Sequence, residues 1–276
     1  MNIVTTTSVF PPCWDMDDIL KRLRAAGFSH LDLAFDYCIQ KPDYPFMTED
    51  YEAWAISLRQ KAEALGLTFT HAHAPFSADR RGALVEKTLR CTALLGIRYL
   101  VVHPIWKNAE GTIVDPEDFL SVNVEAIRPL LSLAEQYGVI LLTENLLWGA
   151  SIRPSVISEL VRRVNSPFFG WCYDTGHAHS EGEALTALLD CSSAPLSLHI
   201  QDNHGAHRDE HLIPGDGTLD FATCFSLLKK IGYAGDFVLE AHHQSVEAPD
   251  SERDAILSRL YERSVYWKSV MEAQSP

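Results

Sequence analysis

Residues 139–177 read VILLTENLLWGASIRPSVISELVRRVNSPFFGWCYDTGH. The segment begins with an apolar run that ends in Glu144, continues through a helical run, and closes with a second apolar run that ends in Asp174. Strand, helix and strand in this order are typical of a parallel βαβ unit, because parallel neighbours need a crossover connection between them. Each strand ends in a carboxylate, so the segment also indicates a functional site at the carboxyl edge of the sheet.

The same unit recurs along the whole chain. β-rich runs alternate with helical runs of three to six turns, and a glycine often separates helix from strand, as at Gly66, Gly96 and Gly138. We therefore predict a single α/β domain over residues 1–276, a (β/α)8 TIM barrel. The eight predicted strands are Ile3–Thr7, His30–Phe35, Leu67–His73, Ile97–His103, Val139–Glu144, Phe168–Asp174, Leu196–Gln201 and Phe237–Glu240.

An open, doubly wound sheet is the alternative architecture, and it predicts a glycine-rich turn after the first strand. That turn reads SVFPPCWD over residues 8–15 and holds no glycine. We therefore expect no nucleotide cofactor.

The six cysteines are scattered along the chain without a C-x-x-C pair. This pattern indicates reduced thiols and excludes a zinc knuckle.

Composition and charge narrow the class of protein. Of the 276 residues, 46% are hydrophobic and 22% are charged, which is typical of a globular protein. No apolar run approaches the roughly 18 residues of a membrane span. The 37 acidic and 23 basic residues leave a net charge of −14, which disfavours nucleic acid and anionic lipid as partners. We expect a cytoplasmic protein that acts on a small molecule, and the sequence leaves a homo-oligomer open.

Six consecutive strands, the third to the eighth, carry a histidine, aspartate or glutamate near their carboxyl ends. In a barrel these ends converge on one face, where the site is built. Imidazole and carboxylate are ligands that suit Mn²⁺, Zn²⁺ or Co²⁺. We predict that a divalent ion is held by Glu144, Asp174, His199 and Glu240.

At these residues the sequence resembles the xylose isomerase-like barrels, which include sugar phosphate isomerases and epimerases and the type IV apurinic endonucleases. The resemblance covers essentially the whole chain and is specific to the superfamily rather than to one reaction. The motifs that carry it are His73–Phe76 (HAPF), Val102–Pro104 (VHP), Thr143–Asn145 (TEN), Tyr173–His177 (YDTGH), Leu198–Asn203 (LHIQDN), Asp209–His211 (DEH), Pro214–Gly217 (PGDG) and Val238–Glu240 (VLE).

The resemblance implies two kinds of site. In the isomerases and epimerases, the residues that match the four predicted ligands hold one ion, and the two glutamates flank the substrate. In the endonucleases, three zinc ions use those four residues and five more. The matching five here are His73, His103, His177, Asp209 and His211, which serve either as extra metal ligands or as contacts to substrate oxygens.

Two departures from the resemblance bear on the reaction. Ketose 3-epimerases tend to carry a glutamate six residues beyond the first ligand and an arginine six beyond the metal histidine, but here Ala150 and Gly205 stand there. A 3-epimerase of free ketoses is therefore disfavoured. The endonuclease alternative is disfavoured because basic residues near the mouth are few and separated, namely Arg80, Arg81, Lys107, Arg153 and Arg208.

The chemistry that fits one ion and two carboxylates is proton transfer next to a carbonyl through an enediolate. We predict Glu144 and Glu240 as base and acid, with His177 orienting the substrate. The predicted activity is a metal-dependent isomerase or epimerase of a keto sugar, sugar phosphate or related polyol. The alternatives are a multinuclear zinc phosphodiesterase and a keto-polyol dehydratase or lyase. The predicted substrate contacts are Trp14, Phe76, Trp106, Trp148 and Arg208.

Overall fold

A computed structural model describes residues 1–12, 14–75 and 83–274 of the chain. Within these residues, eight parallel strands form one sheet in the order β7-β6-β5-β4-β3-β2-β1-β8. The predicted (β/α)8 barrel is confirmed, and each strand lies within its predicted range. The strands are β1 Ile3–Thr6, β2 His30–Ala34, β3 Thr68–His73, β4 Tyr99–Val102, β5 Ile140–Glu144, β6 Phe169–Asp174, β7 Ser197–His199 and β8 Phe237–Leu239.

β8 closes the barrel by pairing with β1 on one side and meeting β7 on the other. β1 pairs with β8, with Ile3 opposite Phe237. β7 meets β8 through Ile200, whose N–H donates to the carbonyl of Val238 at 2.8 Å and whose carbonyl accepts from Glu240 at 3.1 Å. These bonds bring the ends of β7 and β8 side by side, so His199 and Glu240 become neighbours.

Helices surround the sheet and connect its strands. They are α1 Met16–Ala26, α2 Phe35–Cys38, α3 Tyr51–Ala64, α4 Ala83–Leu94, α5 Phe119–Tyr137, α6 Pro154–Val164, α7 Thr175–Ser180, α8 Phe221–Lys230, α9 His243–Glu247 and α10 Asp250–Ala273. The Asp15 side chain caps α1 by accepting from the Asp18 N–H at 3.0 Å. No helix among the described residues combines the length and apolar character that crossing a membrane requires.

The connection between β6 and β7 differs from the predicted pattern of long helices. It contains α7, of six residues, and a short 3₁₀ helix over Leu185–Asp190. α7 starts at Thr175, directly after Asp174, whose side chain caps it, and the chain then turns through Gly182 at φ 72°. The early turn ends α7 after fewer than two turns.

The strands that form the apolar interior of the barrel also place polar residues at its mouth. Successive side chains of a strand point to opposite faces, so residues two apart share a face. Val101, Leu142 and Cys172 form a small buried cluster. Two residues further along the same three strands come His103, Glu144 and Asp174. The polar residues therefore lie directly above an apolar floor.

Candidate metal centre

Four side chains converge where β5, β6, β7 and β8 end. One ligand atom each of Glu144, Asp174, His199 and Glu240 lies within 4.8 Å of the other three. His199 Nδ1 is 2.7 Å from Glu144 Oε1 and 3.3 Å from Glu240 Oε2. The structure thus brings together the four predicted metal ligands, which we call the core site.

The carboxylates of the core site have oxygen atoms that the protein does not satisfy. Among the described residues, Glu144 Oε2 and Asp174 Oδ2 are buried and accept no hydrogen bond of good geometry. The imidazole nitrogens beside them lie 3.4 Å or more away. The other oxygen of Asp174 accepts from the His177 N–H at 2.6 Å. A buried carboxylate oxygen without a partner is costly, whereas a cation stabilises it. The donor set therefore fits a divalent ion.

Asn145 fixes the position of Asp174 through its backbone. The Asn145 side-chain amide donates to the Asp174 carbonyl at 3.0 Å, and its oxygen accepts from the Asp174 N–H at 2.8 Å. These two bonds join the ends of β5 and β6 just beyond the last paired residues, Glu144 and Cys172. The motif residue Asn145 thus holds a ligand without touching the ligand atoms.

Two further groups of donors flank the core site. His73 and His103 lie against the same Glu144, with their Nε2 atoms 3.5 and 3.4 Å from Oε2. His177, Asp209 and His211 form the other group, in which the Nε2 atoms face Asp209 at 3.7 and 3.2 Å. The structure therefore places all five of the extra predicted ligands around the core site.

The tautomers of three of these histidines follow from their backbone partners. The Nδ1 atom of His73 lies 2.9 Å from the carbonyl of Ala74. The Nδ1 atom of His177 lies 2.9 Å from the carbonyl of Asn145, and that of His211 lies 2.8 Å from the carbonyl of Glu240. A carbonyl only accepts, so each ring donates from Nδ1 and directs Nε2 toward a carboxylate. Histidines that bind metals show this arrangement. Each Nε2 faces a carboxylate oxygen, so the pair requires either a proton or a metal ion.

The electrostatics of the site also favour bound positive charge. Burial disfavours the charged imidazole, yet the neighbouring carboxylates Glu144 and Asp209 raise the pKa of His73 and His211, respectively, to about 9. Burial raises the pKa of Asp174 to about 7 despite the charge of His177. Without a metal ion, protons therefore take the positions where cations would lie.

The long loop after β7 carries Asp209 and His211, and Asp202 organises it. The buried Asp202 carboxylate accepts hydrogen bonds from four backbone N–H groups at 2.9 to 3.1 Å. Those of Asn203 and Leu219 bind one oxygen, and those of Gly215 and Gly217 bind the other.

The backbone of His211 takes a positive φ of 43°. Non-glycine residues rarely adopt this backbone conformation unless the surroundings impose it, and it is frequent at functional sites.

A cavity of about 390 Å³ opens above these residues. Of the four core residues, Glu144 and Glu240 line the cavity, whereas Asp174 and His199 do not. Glu144, Asp174 and His199 are all fully buried. The described lining residues are Thr6, Ser8, Ala34, Asp36, Tyr37, His73, His103, Glu144, Leu146, Leu147, Trp148, His177, Asp209, His211, Glu240 and His242.

The predicted substrate contacts are only partly brought to this cavity. Trp148 lines it, and Trp106 stacks on Trp148 with ring centroids 4.2 Å apart, behind the lining. Phe76 falls outside the described residues. Arg208 is exposed and does not line the cavity, because its loop follows a chain reversal at Ala206 and His207, both with positive φ.

Trp14 also lies away from the cavity, which corrects its predicted position. Its indole donates to Asp18 Oδ2 at 2.8 Å and packs beneath the guanidinium of Arg253, 4.7 Å from the ring centroid. Arg253 is itself buried and donates to the carbonyl of Ser245 at 2.9 Å. Trp14 thus anchors the loop after β1 to α10, since a partly buried aromatic packs best against a desolvated cation.

Sequence reasoning missed several residues of the cavity wall. Asp36 and Tyr37 lie on α2, directly after β2, whereas Thr6 is the last residue of β1 and Ser8 lies two residues beyond it. His242 lies two residues beyond Glu240, and its ring stacks on His211 with centroids 4.2 Å apart. The signal that could have found these residues was their position at or just beyond strand ends. It was not used for β1 and β2, because the last residues of these strands are neither histidine nor a carboxylate.

Comparisons with known proteins find curated relatives named as an epimerase and an isomerase. A ketose 3-epimerase of Arthrobacter globiformis is 30% identical over 148 residues, covering 53% of this chain and 44% of that protein. An inosose isomerase of Bacillus licheniformis is 29% identical over 150 residues, covering 51% and 52%. The chain thus spans about half the length of these two curated relatives.

Solved structures and a family model extend the likeness to the whole barrel. The crystal structure of the IOLI protein with a binding zinc atom superposes with a TM-score of 0.78 at 16% identity, over 100% of this chain and 99% of that chain. At this identity the likeness shows the shared fold. The sequence model of the xylose isomerase-like TIM barrel family matches residues 20–261. With most of the chain matched and the motif residues gathered at one mouth, this protein belongs to the xylose isomerase-like TIM barrel family.

Proposed function

We propose that this protein is a divalent-metal-dependent isomerase or epimerase that moves a proton at a carbon next to a carbonyl. The observation that carries the proposal is that two of the four residues of the core site line the cavity and the other two do not. Glu144 and Glu240 are among the residues that line the cavity, whereas Asp174 and His199 are not. The two glutamates are thus the core residues that face a substrate, and two carboxylates supply both a base and an acid.

A divalent ion in the core site would supply Lewis acidity that stabilises negative charge developing on the substrate oxygens. We assign the proton transfers to the two glutamates, which approach His199 from the ends of β5 and β8. One glutamate takes the proton from carbon, and the other delivers a proton. Delivery to the opposite face of the same carbon gives an epimer, and delivery to the neighbouring carbon gives an aldose–ketose isomer.

His177 is proposed to orient the substrate beside these glutamates. Its Nδ1 is held by the carbonyl of Asn145 at 2.9 Å, and its ring lines the cavity. The ring is therefore fixed, with Nε2 directed toward the side of Asp209. A fixed imidazole nitrogen is well suited to contact one substrate hydroxyl, because positioning lowers the entropic cost of the reaction.

The relatives support a sugar or polyol as the substrate class, since one is a ketose 3-epimerase and another an inosose isomerase. The zinc atom in the IOLI protein supports a divalent ion, for which we propose Mn²⁺, Zn²⁺ or Co²⁺. Ala150 and Gly205 replace the glutamate and arginine typical of ketose 3-epimerases, which favours a reaction other than 3-epimerisation of a free ketose. A keto-polyol dehydratase would use the same proton abstraction and then expel a hydroxyl group.

A second candidate function has its own supporting observation. The donor groups His73, His103 and Glu144, and His177, Asp209 and His211, are each compact enough to hold an ion. Three ions would fit a zinc phosphodiesterase that resembles the type IV apurinic endonucleases. The net charge of −14 argues against binding to a nucleic-acid backbone.

Metal analysis and solvent exchange together test the proposal. The purified protein is analysed for bound metal, then incubated in D₂O with a panel of keto sugars, keto-inositols and sugar phosphates. We expect at least one tightly held divalent ion and deuterium at the carbon that changes configuration or oxidation level. Retention of the original hydrogen in a converted substrate would indicate internal hydride transfer. Preferential cleavage of abasic DNA would favour the second candidate.

A further inference from the structure

His199 faces the core site through a different ring atom from the one that the flanking histidines use. In His73, His177 and His211 the Nε2 atom is directed toward a carboxylate. In His199 the Nδ1 atom lies near the carboxylate oxygens, 2.7 Å from Oε1 of Glu144 and 3.3 Å from the nearer oxygen of the second glutamate. An ion in the core site would therefore be bound by Nδ1 of His199.

This choice of atom decides where the ring of His199 carries its proton. A neutral imidazole has one N–H group, and a metal ion binds the other nitrogen. Binding through Nδ1 therefore places the N–H group of His199 on Nε2. The side chain is buried, so this N–H group needs an acceptor inside the protein. Histidines that bind metals usually have such a partner, which holds the ring in its orientation.

Cys172 provides a partner for the ring of His199. The two side chains form a hydrogen bond. Cys172 lies on β6, opposite Glu144 of β5 and Ser197 of β7. It also lies two residues before Asp174 on the same face of the strand. The thiol is thus placed between the strands that carry two ligands of the core site, one layer deeper in the barrel.

The surroundings of the thiol suit a supporting role. Cys172 is fully buried and packs with Val101 and Leu142. A thiol in apolar surroundings is uncharged, and its sulfur atom accepts hydrogen bonds only weakly. The contact can therefore orient the ring of His199 without adding a negative charge to a site that already holds three carboxylates.

We propose that Cys172 is a positioning residue of the metal centre, whose sulfur atom accepts a hydrogen bond from Nε2 of His199 and so directs Nδ1 toward the ion. This inference rests on the divalent ion of the proposed function and not on the reaction that follows. Cys172 is not among the described residues that line the cavity, so it acts through His199 rather than on the substrate.

The affinity for Co²⁺ tests the proposal. Metal-free protein is titrated with Co²⁺ in competition with a chelator. Cys172→Ala removes the acceptor, and we expect it to bind Co²⁺ at least about tenfold more weakly than the wild type. Cys172→Ser is similar in size and restores an acceptor, so its affinity should stay within about threefold of the wild-type value. Wild-type affinity in Cys172→Ala, or equal losses in the two variants, overturns the proposal.

Cys224→Ala is the matched control, because Cys224 is also fully buried but lies on α8, outside the three donor groups. It should lose stability in urea as Cys172→Ala does, since both remove a buried sulfur atom, but it should keep its affinity for Co²⁺. The visible absorption of bound Co²⁺ reports the arrangement of the ligands, so it should change in Cys172→Ala alone. A sulfur-to-cobalt charge-transfer band in the wild type would make Cys172 a ligand and overturn the proposal.

A second pair of variants covers the case in which Cys172→Ala does not fold. Cys172→Thr and Cys172→Val are similar in shape and differ in the acceptor, so the threonine variant should bind Co²⁺ more tightly, and equal affinities overturn the proposal. Metal binding that depends on Cys172, without solvent exchange in any substrate, would reject the proposed function and leave this inference standing. A wild-type protein that binds neither Co²⁺ nor Zn²⁺ would reject both.

Discussion

The amide of Gln201 links the core site to the long loop, since its Nε2 donates to Oδ1 of Asp209 at 3.1 Å. The same nitrogen lies 3.3 Å from Oδ1 of Asp174. One buried side chain thus joins a core carboxylate to a carboxylate of the flanking group. The distance between the core site and the Asp209 group is set by this amide, and it depends on the space that Gly176 leaves.

Gly176→Ala is expected to displace Gln201. A Cβ atom at Gly176 would lie 2.1 Å from the Gln201 amide carbon, and the glycine has an ordinary φ, so the effect is one of space. We expect a loss of about 1–3 kcal/mol in the free energy of unfolding, typical of overpacking, and weaker metal binding. In Gly176→Ala/Gln201→Ala the stability cost of the alanine at 176 should largely disappear. Additive costs in urea unfolding would contradict the contact.

Glu144→Gln and Glu240→Gln each remove a titratable oxygen while keeping an oxygen ligand. Turnover of an identified substrate is expected to fall by roughly 10²- to 10⁴-fold, the size typical of a positioned acid or base. Metal content, measured in parallel, should be retained at least in part. Glu135→Gln, on the exposed face of α5, is the matched control and should be fully active. Equal activity in all three variants would eliminate the glutamates as acid and base.

His211→Ala tests whether the flanking groups hold metal. If His177, Asp209 and His211 bind an ion, zinc-replete protein should contain more than one ion per chain, and the variant should contain about one ion fewer. His207→Ala is the control, because His207 is exposed and lies outside the three donor groups. A content of one ion per chain that is unchanged in His211→Ala would show that these residues do not hold a metal ion.

Asp202→Asn should destabilise the loop that carries Asp209 and His211. The substitution keeps one acceptor oxygen but places an NH₂ group against two of the four N–H donors that now point at the carboxylate. We expect a loss of about 2–4 kcal/mol in urea unfolding, because buried donors would be left without acceptors. Asp190→Asn, at an exposed position, should have little effect. Similar midpoints for the two variants would refute the structural role of Asp202.

Trp148→Ala should weaken substrate binding more than catalysis. The indole is 40% exposed at the cavity mouth. Its loss should remove about 1–2 kcal/mol of packing free energy between the ring and the substrate. For an identified substrate we expect KM to rise about five- to thirtyfold with kcat nearly unchanged. Trp106→Ala, which removes only the supporting ring, should raise KM less. A fall in kcat at constant KM would instead place Trp148 in the chemical step.

The barrel and most of the core site could be predicted from sequence because both follow from local patterns. A parallel strand is an apolar run, and its last residues point to the mouth, so Glu144 and Asp174 could be assigned without knowing any contact. Wall residues were harder to assign. Trp14 follows a strand as Trp148 does, but its packing under Arg253 depends on α10, more than two hundred residues away.

The pairing of β1 with β8 also bears on how the protein is made. Asn2 and Asp236, 234 residues apart in the chain, are joined at one end of these strands by a hydrogen bond of 2.7 Å. During synthesis, β1 therefore remains an open edge until β8 has left the ribosome. Glu240 arrives with the same late strand. Closure of the barrel and completion of the core site are thus one event, and a chain truncated before β8 would have neither.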